Sequence, residues 1–475
     1  MIKHILYVVS ECLGFASTGG LADVAFSLPK EINKKNEKYK VHVIMPLYKE
    51  IWQKYNTQLK LIGSKIVQLS WRNNEIKLYY LEANKTNYYF IANSYYYGRD
   101  NLYGYHDDIE RFAFFSKAVL ECFELFNFPI DIIHANDWHA ALSIIYYKLQ
   151  YFTQYPQIKT ILTIHNIQYQ GVFIPEHFVD LTGLKEEHMS YLLHFDLVNL
   201  LKGAIVLSNY ITTVSPSYAK EIQTPEYAYG LNEVICNYKD KLIGVLNGID
   251  IDFYNPEQDL NIYTNFSSEK LDKRIENKIQ LQKDLAFPIN PNIPLLAIVS
   301  RLVDHKGMDL IIESMNKLLK NDIQLVVLGK GDKNYEEQFI KYEQRYPHKV
   351  RVLIIFDVNL AKKIYASTDL FLMPSKSEPC GLSQMIACRY GAIPIVRKTG
   401  GLGDSIKDYN SNTGNGFVFE EYSSNTLINK INQALRLYSN QEEFRKLRKL
   451  AMTTDFSWQK SSQEYLDLYQ KLLAK

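Results

Sequence analysis

The sequence predicts an α/β protein made of two related halves, and three observations support that prediction. Short apolar runs alternate with amphipathic helical stretches along the whole chain. The runs are continuous rather than every-other-residue, as suits parallel strands covered on both faces. The hexapeptide Thr18-Gly19-Gly20-Leu21-Ala22-Asp23 also returns near the other end as Thr399-Gly400-Gly401-Leu402-Gly403-Asp404. Each copy follows an apolar run and opens a helical pattern.

In the first half the strand-like runs are Ile5 to Ser10, Val41 to Met45, Ile132 to His134, Thr160 to His165 and Ile211 to Val214. In the second they are Leu295 to Ser300, Leu325 to Leu328, Leu370 to Met373 and Ile393 to Val396. Helical stretches such as Ala140 to Leu149 and Met308 to Leu319 fit between them, which makes the repeating unit βαβ. A polar, lysine-rich stretch from Pro256 to Pro294 separates the halves. One large sheet with a polar insertion is the competing arrangement; the repeated glycine motif favours two halves. At the end, Trp458, Tyr465, Leu466, Tyr469, Leu472 and Leu473 recur at helical spacing and predict a packed terminal helix.

The 54 basic and 52 acidic side chains leave a net charge of +2, without the basic excess of a nucleic-acid binder. Hydrophobic and charged contents of 47% and 22% are those of a soluble globular chain, and the 36 tyrosines are the one departure. Cys12, Cys122, Cys236, Cys380 and Cys388 are scattered, which suits a reduced, cytoplasmic setting rather than a disulfide framework. Lys3 and the run Ile5 to Val9 resemble the start of a signal peptide, but Glu11 ends the run too early, so it reads as a first strand. No run approaches the ~18 residues of a membrane span, so no membrane partner is expected.

Open parallel sheets bind ligands beyond the carboxyl ends of their strands, so the strand-to-helix loops are where chemistry is sought. Arg301 and Lys306 lie in one such loop. A guanidinium and an ammonium beside a helix start suit a diphosphate, although solvated loop charges look the same in sequence. Glu378 sits in Pro374-Ser375-Lys376-Ser377-Glu378-Pro379-Cys380-Gly381-Leu382, directly after a strand. It can accept hydrogen bonds from sugar hydroxyls or merely offset a helix dipole. Asp137-Trp138-His139 and His165-Asn166 also follow strands. No P-loop, no GxGxxG after the first strand and no HExxH or paired Cys/His spacing occurs, which disfavours ATPase, dehydrogenase and metal readings.

Taken together the motifs resemble those of the bacterial glycogen synthases, in the retaining glycosyltransferase family shared with plant starch synthases. The resemblance runs nearly end to end. It rests on Thr18 to Val24, Asp137 to Ala140, Thr163 to Asn166, Thr213 to Pro216, Asn247 to Asp250, Ser300 to Leu302 with Lys306-Gly307, Glu378 to Leu382 and Lys398 to Leu402. It implies a GT-B fold: an acceptor domain over 1–243, a donor domain over 244–455, and a final helix over 456–475 returning to the first. It implies transfer of glucose from ADP-glucose to the non-reducing 4-hydroxyl of an α-1,4-glucan such as glycogen, with retention and with neither metal nor cofactor. Glu378, Arg301, Lys306, His165 and Asp137 are implied at the reacting centre. Ser17, Gly19, Gly20, Arg301, Lys306, Cys380, Gly381, Leu382, Thr399, Gly400, Gly401 and Leu402 are implied around the donor. Tyr95 to Tyr97, Tyr103 and Tyr105 are candidates for stacking on sugar rings.

One position departs from the pattern. The family's first glycine motif begins with lysine, and Ser17 stands there in this chain. Loss of that cation should weaken the diphosphate contact by ~1 to 3 kcal/mol. A UDP-glucose-dependent GT-B transferase and a catalytically weakened glucan-binding homologue are the competing readings.

Overall fold

The computed structural model describes residues 2–411 and 413–474. They form two compact units, one running to Asn247 and rejoined by the chain from Trp458 onward, the other Gly248–Ser457.

The strands of the first unit are β1 (Lys3–Val8), β2 (Tyr39–Pro46), β3 (Lys60–Leu69), β4 (Arg72–Ala83), β5 (Thr86–Ala92), β6 (Ile132–Asn136), β7 (Lys159–Ile164), β8 (Val172–Phe173), β9 (Leu193–His194), β10 (Leu197–Asn199), β11 (Tyr210–Thr213) and β12 (Leu242–Gly244). Nine of them form one sheet in the order β12-β11-β7-β6-β1-β2-β5-β4-β3, and β8-β10-β9 form a small separate one. Pairing is parallel from β12 to β5, while β4 and β3 add an antiparallel meander. The centre is dry: Ile5, Leu6, Tyr7 and Val8 of β1 are fully buried. The order turns back on itself at β1 and β6, so the loops after those strands share one carboxyl rim.

The terminal helix Trp458–Leu473 buries Trp458, Tyr465, Leu466, Tyr469 and Leu472 in this first unit. The Tyr469 hydroxyl lies 2.9 Å from His134 Nδ1 on β6. The chain leaves the unit a few residues later than the sequence boundary of 243/244. Backbone pairing continues past β12, with Val245 N donating to Thr213 O and Asn247 N to Val214 O. It returns after 457 rather than 455, because Ile249 N donates to Phe456 O and Ile249 pairs with Ser457 inside the second unit.

The second unit contains β13 (Leu295–Val299), β14 (Gln324–Leu328), β15 (Val350–Leu353), β16 (Leu370–Met373), β17 (Ile393–Arg397) and β18 (Phe417–Phe419). All six are parallel, in the order β15-β14-β13-β16-β17-β18. The direction reverses between β13 and β16, which opens a crevice beyond their carboxyl ends. The polar stretch after Pro256 is an ordered part of this unit. Its helix Arg274–Asp284 buries Arg274 and Lys278, and Lys278 Nζ lies 2.6 Å from the buried Asp369 at the start of β16. Arg448, from outside the stretch, meets the same carboxylate at 2.8 Å, so Lys278 shares with it the counter-charge for a buried acid. Among the described residues no helix is long and apolar enough to cross a membrane.

Candidate active site

Each unit carries its own set of polar groups at a carboxyl rim. In the second unit, β13 leads through Arg301 into a turn of 3-10 helix, Asp304–Lys306, and then into the helix Met308–Leu318. Gly307 closes that turn at φ +76°, and a Cβ there would stand 2.2 Å from Pro374 O. This close approach sets the loop after β13 against the loop after β16. Lys306 Nζ consequently reaches both oxygens of Glu378, at 2.7 and 2.6 Å. Ser375 Oγ donates to Glu378 Oε2 at 3.2 Å. Glu378 is only 4% exposed, so its charge is held by the lysine and a hydroxyl rather than by water. Arg301 is exposed on the same rim and makes no ion pair among the described residues. Burial, with the charges of Lys306 and Arg301, lowers the neighbouring His305 to about 4, which keeps it neutral near pH 7.

The loop after β17 interlocks with Glu378 from the other side. Gly400, at φ +41°, would place a Cβ 2.1 Å from Glu378 O, and Gly401 would place one 2.3 Å from Cys380 O. Gly401 N already donates to the carbonyls of Glu378 and Pro379, and Leu402 N donates to Thr399 O. These two amides are therefore engaged within the loop. Glycine at these positions allows the close nesting of two backbones. Cys380 is buried in the nest, and Gln384 Nε2 fastens it by donating to the carbonyls of Cys380 and Gly381 and to Ser405 Oγ. Leu382 precedes the helix Ser383–Arg389, and Thr399 precedes the helix Gly400–Ser405.

In the first unit, Asp137 and His165 are brought together at the ends of β6 and β7. Asp137 Oδ1 accepts from His165 N at 2.7 Å and from Asn166 N at 3.4 Å. Asp137 adopts φ +55°, a strained conformation for a residue with a side chain, at the first position of the helix Asp137–Tyr146. Asn136 spends its amide hydrogens on Val8 O and His134 O, so its Oδ1 faces His165 Nε2 at 2.9 Å. That nitrogen carries the imidazole proton, and Nδ1 is the accepting one. Burial lowers His165 to about 3 and raises Asp137 to about 7. Ser17 is half-buried, and Gly19 and Gly20 are exposed where the helix Gly20–Lys35 begins.

Three features escaped the sequence reading. Glu11, treated there only as the end of an apolar run, is 3% exposed and accepts from Thr18 N at 2.7 Å and Thr18 Oγ1 at 2.6 Å. Burial raises it to about 7, with the Asp23 charge adding to the shift. It anchors the first glycine loop; a carboxylate directly after a dry strand was the available signal. Phe356 is 73% exposed in the loop after β15, on the rim that carries Arg301, and only an unremarkable Ile-Phe pair marked it in sequence. Third, the tyrosine cluster divides. Tyr96 and Tyr97 are core residues whose hydroxyls donate to Glu110 and to Arg111 O, so they do not stack on sugars. Tyr103 pairs with Ser10 Oγ at 2.7 Å, and Tyr105 lies under the Arg99 guanidinium. Tyr95 remains exposed.

Residues 4–237 match the family model described as "Starch synthase catalytic domain", and residues 281–450 match "Glycosyl transferases group 1". The chain is 44% identical over 476 residues to a glycogen synthase of Caldicellulosiruptor bescii, covering 99% of both. The chain belongs to the glycogen synthase family. Another member, from Lactobacillus acidophilus, is 42% identical and covered over its full length. Among solved structures, the catalytic domain of starch synthase IV from Arabidopsis thaliana, bound to ADP and acarbose, superposes with a TM-score of 0.93 at 32% identity, covering 100% of both chains. Sucrose-phosphate synthase from Thermosynechococcus elongatus superposes at 0.62 with 14% identity over 99% of each chain, a likeness of fold alone. The fold of this family member is that of the GT-B glycosyltransferases.

Proposed function

We propose that the chain transfers glucose from ADP-glucose to the non-reducing 4-hydroxyl of an α-1,4-glucan, with retention at the anomeric carbon. The observation that carries this reading is the Lys306–Glu378 pair beside an exposed Arg301 at the β13/β16 switch point. A diphosphate needs cations that hold it in the ground state and more tightly as it leaves. Arg301 and Lys306 supply them, and Glu378 is aimed to accept from glucose hydroxyls. Phe356, an aromatic face open on the same rim, suits stacking by the nucleobase.

We assign Asp137 and His165 of the first unit to the acceptor side of the reaction. Asp137 holds the backbone at His165, and the neutral imidazole can accept a hydroxyl hydrogen bond at Nδ1. In a retaining transfer of this kind the departing phosphate takes the acceptor proton on the face it leaves. No enzyme nucleophile is then required. The full-length likeness to glycogen synthases supports the donor and acceptor classes. The ADP and acarbose of the plant neighbour support the choice of base and of a glucan-like acceptor.

Parallel assays with labelled ADP-glucose and UDP-glucose on glycogen test the reading. Incorporation is expected from ADP-glucose in preference to UDP-glucose. Preference for UDP-glucose would revise the donor, and no incorporation from either would leave a glucan-binding homologue.

A further inference from the structure

The small sheet β8-β10-β9 and the loop beside it carry aromatic and apolar side chains that the reaction does not use. Phe195 is 79% exposed, the highest value for an aromatic residue in this unit, and Tyr229, Tyr191 and Tyr169 are each more than 40% exposed. Two of these four share a second property. Phe195 has φ +51° and Tyr229 has φ +47°, the left-handed region that side chains ordinarily avoid. Phe195 occupies the first position of the two-residue turn between His194 and Leu197, where glycine, asparagine or aspartate is the relaxed choice. A bulky aromatic held outward at the expense of backbone strain points to use rather than to folding.

The two strained residues belong to one corner. His194 donates from Nε2 to Gly230 O at 2.9 Å, and its ring stands 4.4 Å from the Phe195 ring. Phe195 Cε2 lies 3.8 Å from the position a Cβ would take at Gly230, next to Tyr229. Gln170 ties the corner to the reactive loop: its Nε2 donates to Tyr229 O and to Ile167 O, two residues beyond His165. Leu197 and Val172 continue the exposed apolar surface along β10 and β8.

We propose that Phe195 and Tyr229 form a platform on which the acceptor glucan lies several sugar units away from the residue being extended. The inference rests on the proposed glucan acceptor. An uncharged polymer of glucose offers apolar C–H faces to aromatic rings and asks for no counter-charge, and the corner presents two exposed aromatic rings, with His194 and Asp196 flanking Phe195 in the chain. A primer too short to span from the reacting end to the platform gains nothing from it.

Phe195→Gly and Tyr229→Asn test this, because each relaxes the backbone while removing the aromatic ring. Both variants should melt no lower than the parent. Their KM for glycogen should rise by roughly three- to tenfold, with the KM for ADP-glucose and for maltotriose unchanged. Retardation in native gels containing glycogen should fall in parallel, an effect read without catalysis. A parent that binds glycogen through Phe195 but transfers no glucose supports the platform and overturns the transferase reading. An active parent whose variants keep their glycogen KM and gel retardation overturns the platform. A change in sedimentation on Phe195→Gly, with glycogen KM unaltered, also overturns it and makes a second copy of the chain the occupant.

Discussion

Lys306 and Glu378 neutralise each other: the ammonium stands 2.7 and 2.6 Å from the two carboxylate oxygens at a site where the acid is almost dry. The lysine charge is thus already shared with the acid, and Arg301 on the same rim makes no ion pair among the described residues. Replacing the acid and replacing the base should therefore have different kinetic signatures.

On the proposed function, Glu378→Gln removes the acceptor proposed for the glucose hydroxyls and frees Lys306 from its ion pair. The expected result is a kcat lower by about a hundredfold or more with no rise in the KM for ADP-glucose. Lys306→Gln should lower kcat and raise that KM, and should also cost about 1–3 kcal/mol of stability by leaving a buried carboxylate with Ser375 as its donor. Steady-state kinetics with urea melts separates the two patterns.

Ser17 stands where the resemblance implies a lysine, next to Thr18 and its partner Glu11. Ser17→Lys should lower the KM for ADP-glucose by something like tenfold, the equivalent of about 1.4 kcal/mol. An unchanged or higher value contradicts a diphosphate role for the position.

The pH dependence of stability has a definite sign at Glu11. Burial raises its pKa from the usual carboxyl range to about 7, so the folded chain holds this proton more tightly than the unfolded chain does. The associated stability is present at low pH and is lost as pH rises through about 7. His134 and His165 act in the opposite sense, since burial lowers both to about 3 and their contribution is lost below the ordinary imidazole range near ~6.5. Glu11→Gln keeps a neutral acceptor for Thr18. Between pH 5 and pH 8 the parent should therefore lose ~1 to 3 kcal/mol more stability than the variant. Equal slopes in parallel urea titrations would count against a protonated Glu11.

Gly400→Ala is expected to damage activity through backbone displacement. The added methyl would meet Glu378 O at 2.1 Å and sit at φ +41°, so the loop carrying Glu378 must move. Loss of kcat, with a melting temperature lowered by several degrees as follows from about 1–3 kcal/mol of strain, is the expected pair of readings.

Phe356→Ala removes the open aromatic face on the donor rim. A several-fold higher KM for ADP-glucose with glycogen KM unchanged is expected, and competition by free ADP should weaken in step. Equal ADP inhibition constants in parent and variant would remove Phe356 from the nucleobase contact.

The parallel strands were legible because burial on both faces leaves continuous apolar runs, as in Leu295 to Ser300. The β3-β4-β5 meander was not legible. In Lys60–Leu69 and Arg72–Ala83 one face meets water, so polar residues interrupt every apolar stretch. Arg301, Lys306, Glu378 and the second glycine motif stood out as charges and paired glycines at strand ends. Glu11 did not, because its importance comes from desolvation and from Thr18, seven residues away, which composition does not express. Tyr96 and Tyr97 misled for the converse reason: a tyrosine run looks the same whether its rings face sugar or core.

The most direct measurement is the fate of glucose from ADP-[14C]glucose incubated with glycogen and the purified chain. The expected result is label in the polymer, released as maltose by β-amylase, with one ADP formed per glucose transferred. Label that stays soluble, or that β-amylase cannot release, would contradict α-1,4 chain extension by this protein.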